Sequence, residues 1–143
     1  MSDRTPIIAG NWKMYKTNVE AAAYLDDFLG LGADAGNGEV ILCPSFTVLS
    51  EVRRLTSGSK VRVAAQNMHF ENSGAFTGEI SPLMLKELGC RYVILGHSDR
   101  RETGESDSLV NKKIISALKN GLNPILCIGE THGQRIKDDC PIW

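Results

Sequence analysis

Apolar residues in this chain fall into short unbroken runs. Each run ends in a polar cluster and is followed by a stretch with helical spacing. The runs are Pro6-Ile7-Ile8-Ala9, Val40-Ile41-Leu42-Cys43, Val61 with Val63-Ala64-Ala65, Tyr92-Val93-Ile94-Leu95, and Pro124-Ile125-Leu126-Cys127-Ile128. Four or five apolar residues without alternation read as a strand buried on both faces. We therefore expect strands over 7–11, 40–43, 61–65, 92–95 and 124–130.

The stretches between them carry helix signals. Thr17 and Glu20 have the spacing of a capping box before Ala21-Ala22-Ala23-Tyr24-Leu25 and Phe28-Leu29, with Gly30 as the stop. Ser45 precedes a stripe of Val48, Leu49, Val52 and Leu55. Ser81 and Pro82 suit the N-cap and first helical position ahead of Met84, Leu85 and Leu88, and Gly89 closes that helix. Ser106 or Ser108 begins a fourth, with Leu109, Val110, Ile114, Ala117 and Leu118 expected inward and Gly121 after it.

Strand and helix thus alternate at roughly 30 residues, the size of one βαβ unit. That predicts a parallel sheet with helices packed on it. An open doubly wound sheet and a barrel both remain possible. In either, chemistry belongs beyond the carboxyl ends of the strands. The polar groups there are Asn11 and Lys13, Gln66 and Asn67, His97 and Ser98, and Glu130. No Gly-x-Gly-x-x-Gly follows the first strand and no Gly-Lys-Ser/Thr loop occurs, so nucleotide binding is poorly supported. Residues 68–79 break the pattern. They have no period, yet hold Met68, Phe70 and Phe76, which a solvated linker would not; a functional loop or contact surface is expected.

Composition changes little. The chain has 143 residues and a net charge of −1, enough for one cored domain and without the charge excess of a nucleic-acid or membrane-surface binder. Its four cysteines are scattered, without zinc-site spacing, and three lie in or beside apolar runs, so reduced thiols are expected. With no apolar leader or spanning segment, the expected location is the cytoplasm.

Five strings are more specific: Gly10-Asn11-Trp12-Lys13-Met14, Gln66-Asn67-Met68, Gly74-Ala75-Phe76-Thr77-Gly78-Glu79, Leu95-Gly96-His97-Ser98-Asp99-Arg100-Arg101, and Cys127-Ile128-Gly129-Glu130-Thr131. In order and spacing they resemble the triosephosphate isomerase family, from about Pro6 to Thr131. The resemblance implies a TIM (β/α)8 barrel, of which this chain would make about five parallel strands and four outer helices. It implies interconversion of dihydroxyacetone phosphate and D-glyceraldehyde 3-phosphate through an enediolate, with no cofactor or metal. Lys13 matches the catalytic lysine, a fixed charge for the substrate phosphate and the enediolate oxygen. Asn11 matches the asparagine that positions it. His97 matches the electrophile; this family's histidine is a standard example of a neutral imidazole, kept so by a helix N-terminus, that polarises a carbonyl. Ser98 and Asp99 support it. The family usually has glutamate at the position of Asp99, so its charge is kept on a shorter side chain. Arg100 and Arg101 suit structural ion pairs, and Cys127 suits packing. The 68–79 loop matches a dimer loop with Phe76, Thr77 and Gly78 at its tip, which implies a homodimer.

The family's catalytic base, a glutamate after the sixth strand, has no match here, nor have its lid and phosphate loops. We expect residues 1–131 to be the N-terminal part of the barrel and 132–143 a divergent tail. Two roles follow: the isomerase, or a truncated inactive product that acts by association. Two open strand edges predict poor solubility or self-association.

Overall fold

The computed structural model describes residues 4–33, 36–130 and 133. Five parallel strands form one sheet: β1 (Ile7–Asn11), β2 (Glu39–Cys43), β3 (Arg62–Ala65), β4 (Tyr92–Leu95) and β5 (Asn123–Leu126). Between them run α1 (Asn18–Gly30), α2 (Phe46–Leu55), α3 (Pro82–Glu87), α4 (Ser98–Glu102) and α5 (Asp107–Lys119). The order across the sheet is the chain order, β1-β2-β3-β4-β5. A doubly wound sheet reverses its strand order part-way and carries helices on both faces; this sheet does neither.

The alternation of side chains shows which face is which. Leu42, Val63, Ala65, Val93 and Leu95 share one core with the helix residues Ala21, Leu25, Val48, Leu49, Val52, Leu85, Val110 and Ala117. The intervening Ile41, Cys43, Ala64 and Ile94 form a second apolar cluster, with Tyr92, Ile125 and Cys127 beside it and no helix residue in it. Among the described residues, helices cover one face only. The other is the lining of a half-barrel.

Local chemistry explains most element ends. Thr17 and Glu20 close the expected capping box on α1. Ser81 caps α3 with Pro82 at its first turn, and Ser106 rather than Ser108 caps α5. Ser45 occupies the α2 N-cap without a side-chain bond to the helix; its hydroxyl meets Thr47 Oγ1 at 3.2 Å. Gly30 is still helical, and the left-handed turn after α1 falls at Gly32.

Three expectations need correction. The fifth strand ends at Leu126, not 130. Its partner β4 stops at Leu95, where Gly96 turns away with φ 70°, so the ladder closes with Cys127 N–H donating to the Leu95 carbonyl. The charged stretch after β4 begins with the short helix α4, so the described residues hold five helices where four were expected. On α5, Leu118 is exposed and Lys113 is buried. Buried Val110, Lys113, Ser116 and Ala117 centre the inward arc on Lys113, about 140° round the helix from Leu118 at 100° per residue.

β1 is an edge strand, with Ile7 48% and Ile8 62% exposed. That agrees with the open edge expected from the sequence. The 131/132 boundary and the tail lie outside the described residues, Gly133 excepted.

Candidate functional site

The candidate residues gather at the carboxyl ends of β1, β3 and β4. Lys13 leaves β1 through a strained turn. Its φ of 52° lies in the left-handed region, which costs a non-glycine residue about 1–2 kcal/mol. Three contacts hold the turn. Trp12 N–H donates to the Cys43 carbonyl, and its buried ring meets Tyr24 edge-on at 5.3 Å. Asn11 Oδ1 accepts from Lys13 N–H at 3.0 Å. Gln66, from the end of β3, donates through Nε2 to both the Lys13 and Cys43 carbonyls at 2.8 Å. The backbone is thus fixed from two neighbouring strands, and the lysine side chain is left half-exposed.

His97 follows β4 and occupies the N-cap of α4. Its Nδ1 accepts from the Asp99 backbone N–H at 3.1 Å. A neutral imidazole with Nδ1 accepting carries its hydrogen on Nε2, so Nε2–H is the group free to donate. Gly96, with φ 70°, packs directly against the side chains of Arg101 and Val110. A Cβ there would lie 2.8 Å from Arg101 Nη2 and 3.1 Å from Val110 Cγ1. Arg101 in turn donates through Nε to the Gly96 carbonyl at 2.6 Å and pairs with Asp107. Arg100 lies 3.7 Å from Glu105. Both arginines have the structural ion pairs expected of them.

Asp99 joins the two halves. Its Oδ2 lies 3.1 Å from Lys13 Nζ and 3.5 Å from His97 Nδ1, the latter an ion pair only when the ring is protonated. The short side chain therefore reaches. The Lys13 and Asp99 side chains are 51% and 56% exposed, so the pair contributes at most about 1 kcal/mol. Ser98 opens α4 and is exposed. The result is an ammonium and an imidazole N–H donor held by one residue, Asp99, whose carboxylate pairs with Lys13 and whose backbone N–H holds His97 Nδ1, an arrangement suited to an anionic substrate with a carbonyl to polarise. Among the described residues, no group of three His, Cys, Asp or Glu is placed to hold a metal ion.

Cys127 is half-buried beside the second apolar cluster, where burial raises its thiol pKa. That suits packing. In the 68–79 loop, Met68 is fully buried, whereas Phe76, Thr77 and Gly78 are exposed. The His69 ring stacks on Phe70 at 4.4 Å and meets Phe76 at a tilt at 4.2 Å. The loop is tied down at its base and free at its tip.

Two features were not singled out from the sequence. Gln66 is legible as a polar strand end and as part of the Gln66-Asn67-Met68 string, but its 2.8 Å bonds make it a brace for Lys13. Lys113 is the second. It bonds Asn67 Oδ1 at 2.9 Å and makes a short ion pair with Glu105, both partners almost wholly buried. Its spacing from Val110 and Ala117 was the available signal.

The family model described as triosephosphate isomerase matches residues 6–140. Curated triosephosphate isomerases are similar: that of Carboxydothermus hydrogenoformans is 53% identical over 133 residues, 92% of this chain and 53% of that one. That of Symbiobacterium thermophilum is 55% identical over 129 residues, 90% of this chain and 50% of that one. The chain spans about half the length of the curated relatives it matches. A crystal structure of triosephosphate isomerase from Bartonella henselae superposes with a TM-score of 0.87 at 37% identity, over 96% of this chain and 57% of that one.

Proposed function

This chain belongs to the triosephosphate isomerase family, and on that premise we propose that its site serves the interconversion of dihydroxyacetone phosphate and D-glyceraldehyde 3-phosphate. The observation that carries this reading is that Asp99 holds both groups, Lys13 through its carboxylate and His97 Nδ1 through its backbone N–H, with the Lys13 turn braced by Asn11 and Gln66.

In this mechanism the substrate carbonyl oxygen accepts from His97 Nε2–H. Lys13 Nζ attracts the phosphate and stabilises the oxygen that becomes negative as a proton leaves the adjacent carbon. Asp99 holds the ammonium until substrate shares it. Asn11 and Gln66 act on the backbone of Lys13 and are positioning residues. Proton abstraction is not assigned to any described carboxylate; this chain supplies the electrophilic half of the site. The exposed tip at Phe76, Thr77 and Gly78 is proposed as the dimer contact, in a cytoplasmic homodimer.

The test is dihydroxyacetone phosphate binding and turnover by the purified chain. We expect binding that Lys13→Met weakens at least tenfold, and that any isomerisation is abolished by His97→Gln. Binding indifferent to both substitutions would overturn the reading.

A second reading rests on the exposed edge of β1: an inactive product that associates through its open sheet. Absence of turnover, with tight association to a full-length subunit of the family, would favour it.

A further inference from the structure

A second polar site lies at the opposite end of the sheet. Residues 57–59 precede β3, and Gly89 and Arg91 precede β4, so a cleft of about 220 Å³ opens at the amino ends of these strands. Lys13, Gln66 and His97 follow the carboxyl ends. Three arginines line the cleft, Arg53, Arg62 and Arg91, together with Ser57 and Ser59, and no acidic residue lines it.

The charges are not neutralised from within. Arg53 and Arg62 have no ion pair among the described residues. Arg91 has one long contact, 3.9 Å to Glu39 Oε1, and the other oxygen of Glu39 accepts from the Tyr92 hydroxyl at 2.5 Å. The neighbouring Arg54 differs: it is spent on Glu51, at 2.6 Å. Three exposed arginines around one small cleft can share an anion between them, which no single surface arginine can do. One guanidinium packs on the bare backbone of Gly89, which has φ 78°: a Cβ there would stand 2.8 Å from Arg53 Nε and would push that side chain aside.

We propose that this cleft binds a phosphate dianion, free or on a small ester. The guanidinium fork matches phosphate oxygens in paired hydrogen bonds, and the volume admits a phosphate with a few further atoms but not a nucleotide. The cleft lies between the second, third and fourth strand–helix units, away from the edges at β1 and β5. It therefore does not depend on what meets those edges, nor on the isomerase reading. An anion bound to the folded chain alone would stabilise it by mass action.

The test is a titration of the purified chain followed through backbone amide resonances. Inorganic phosphate is the first probe and glycerol 2-phosphate the second, each against sodium chloride at matched ionic strength. We expect saturable shifts at Ser57, Gly58, Ser59 and Gly89, unchanged in Lys13→Met. The double substitution Arg53→Gln/Arg62→Gln should weaken binding at least tenfold. Arg62→Gln alone, at an exposed strand start, should weaken it severalfold. Tighter binding of the ester identifies the ligand as a phosphorylated metabolite, and tighter binding of inorganic phosphate identifies the free ion. Equal titration of the arginine variants, equal shifts with chloride, or shifts confined to Lys13 and Asp99 would overturn the proposal.

Discussion

Two lysine–carboxylate pairs among the described residues differ in nearly everything but composition. Lys113 and Glu105 meet inside the protein, 3% and 2% exposed, with Asn67 as a third member. Lys13 and Asp99 meet at the surface, both half in water. Burial makes the first pair rigid and dependent on its partner, because a buried charge without its counterion carries the full cost of desolvation. Exposure makes the second weak and exchangeable. Only the weak pair can open to an incoming anion, and only the strong one can fix α5 against the end of β3.

The largest expected effect lies at the buried pair. Lys113→Met should lower unfolding stability by about 3–5 kcal/mol, since it leaves Glu105 buried beside only the distant Arg100. Glu105 Oε2 already has no hydrogen-bond partner, so no reserve exists on that carboxylate. Adding Glu105→Gln should restore most of the loss. Chemical denaturation of both single variants and the double variant measures the coupling directly. A loss below about 1 kcal/mol for Lys113→Met would show that the two pairs differ less than their burial implies.

A second effect follows from burial of thiols. Cys43 and Cys90 lie in apolar surroundings that push their pKa values up to about 12 and about 11. The folded chain therefore holds these protons more tightly than the unfolded one. Stability is complete below pH 9 and falls as pH rises towards 11 and 12, by about 1 kcal/mol per pH unit for each thiol within its window. Denaturation midpoints across that range check it. Cys43→Ala should flatten the slope, whereas loss of the exposed pair in Lys13→Met should not.

The Lys13 turn is expected to respond in the opposite sense. Lys13→Gly removes the strain of a φ of 52° and should raise stability by about 1 kcal/mol while abolishing the proposed substrate binding. Asn11→Ala removes the side-chain acceptor of that turn and should cost about 1 kcal/mol. Thermal unfolding with substrate binding on the same samples separates the two consequences.

The same contrast explains what could be read from the sequence. Strands β1 to β4 were legible because runs of three or four apolar residues without alternation admit few other structures, and their ends agree with the observed ones to within a residue. Lys13, Asn11 and His97 were legible as a set because the strings that hold them resemble one family. The buried pair was not legible. Lysine and glutamate are read as surface residues, and only the third dimension brings Glu105, Lys113 and Asn67 together from three elements. Strand β5 was overextended because its apolar run continues to Ile128, while hydrogen bonding stops when β4 turns at Gly96. Gln66 was visible as a residue but not as a brace, since its partners are carbonyls of two other strands.

The smallest effect belongs to Asp99. The family usually places a longer glutamate there, yet Asp99 already stands 3.1 Å from Lys13 Nζ. Lengthening the side chain adds reach where none is needed, at a position more than half exposed. Asp99→Glu should therefore change stability by less than about 0.5 kcal/mol, as for other exposed pairs. Asp99→Asn removes the carboxylate and frees Lys13 for the substrate phosphate. It should leave stability equally unmoved but tighten phosphate binding at this site by twofold to fivefold, read by calorimetry at low salt. A stability loss above about 1 kcal/mol in either variant would place this pair with the buried one, as structure rather than as a charge held ready for exchange.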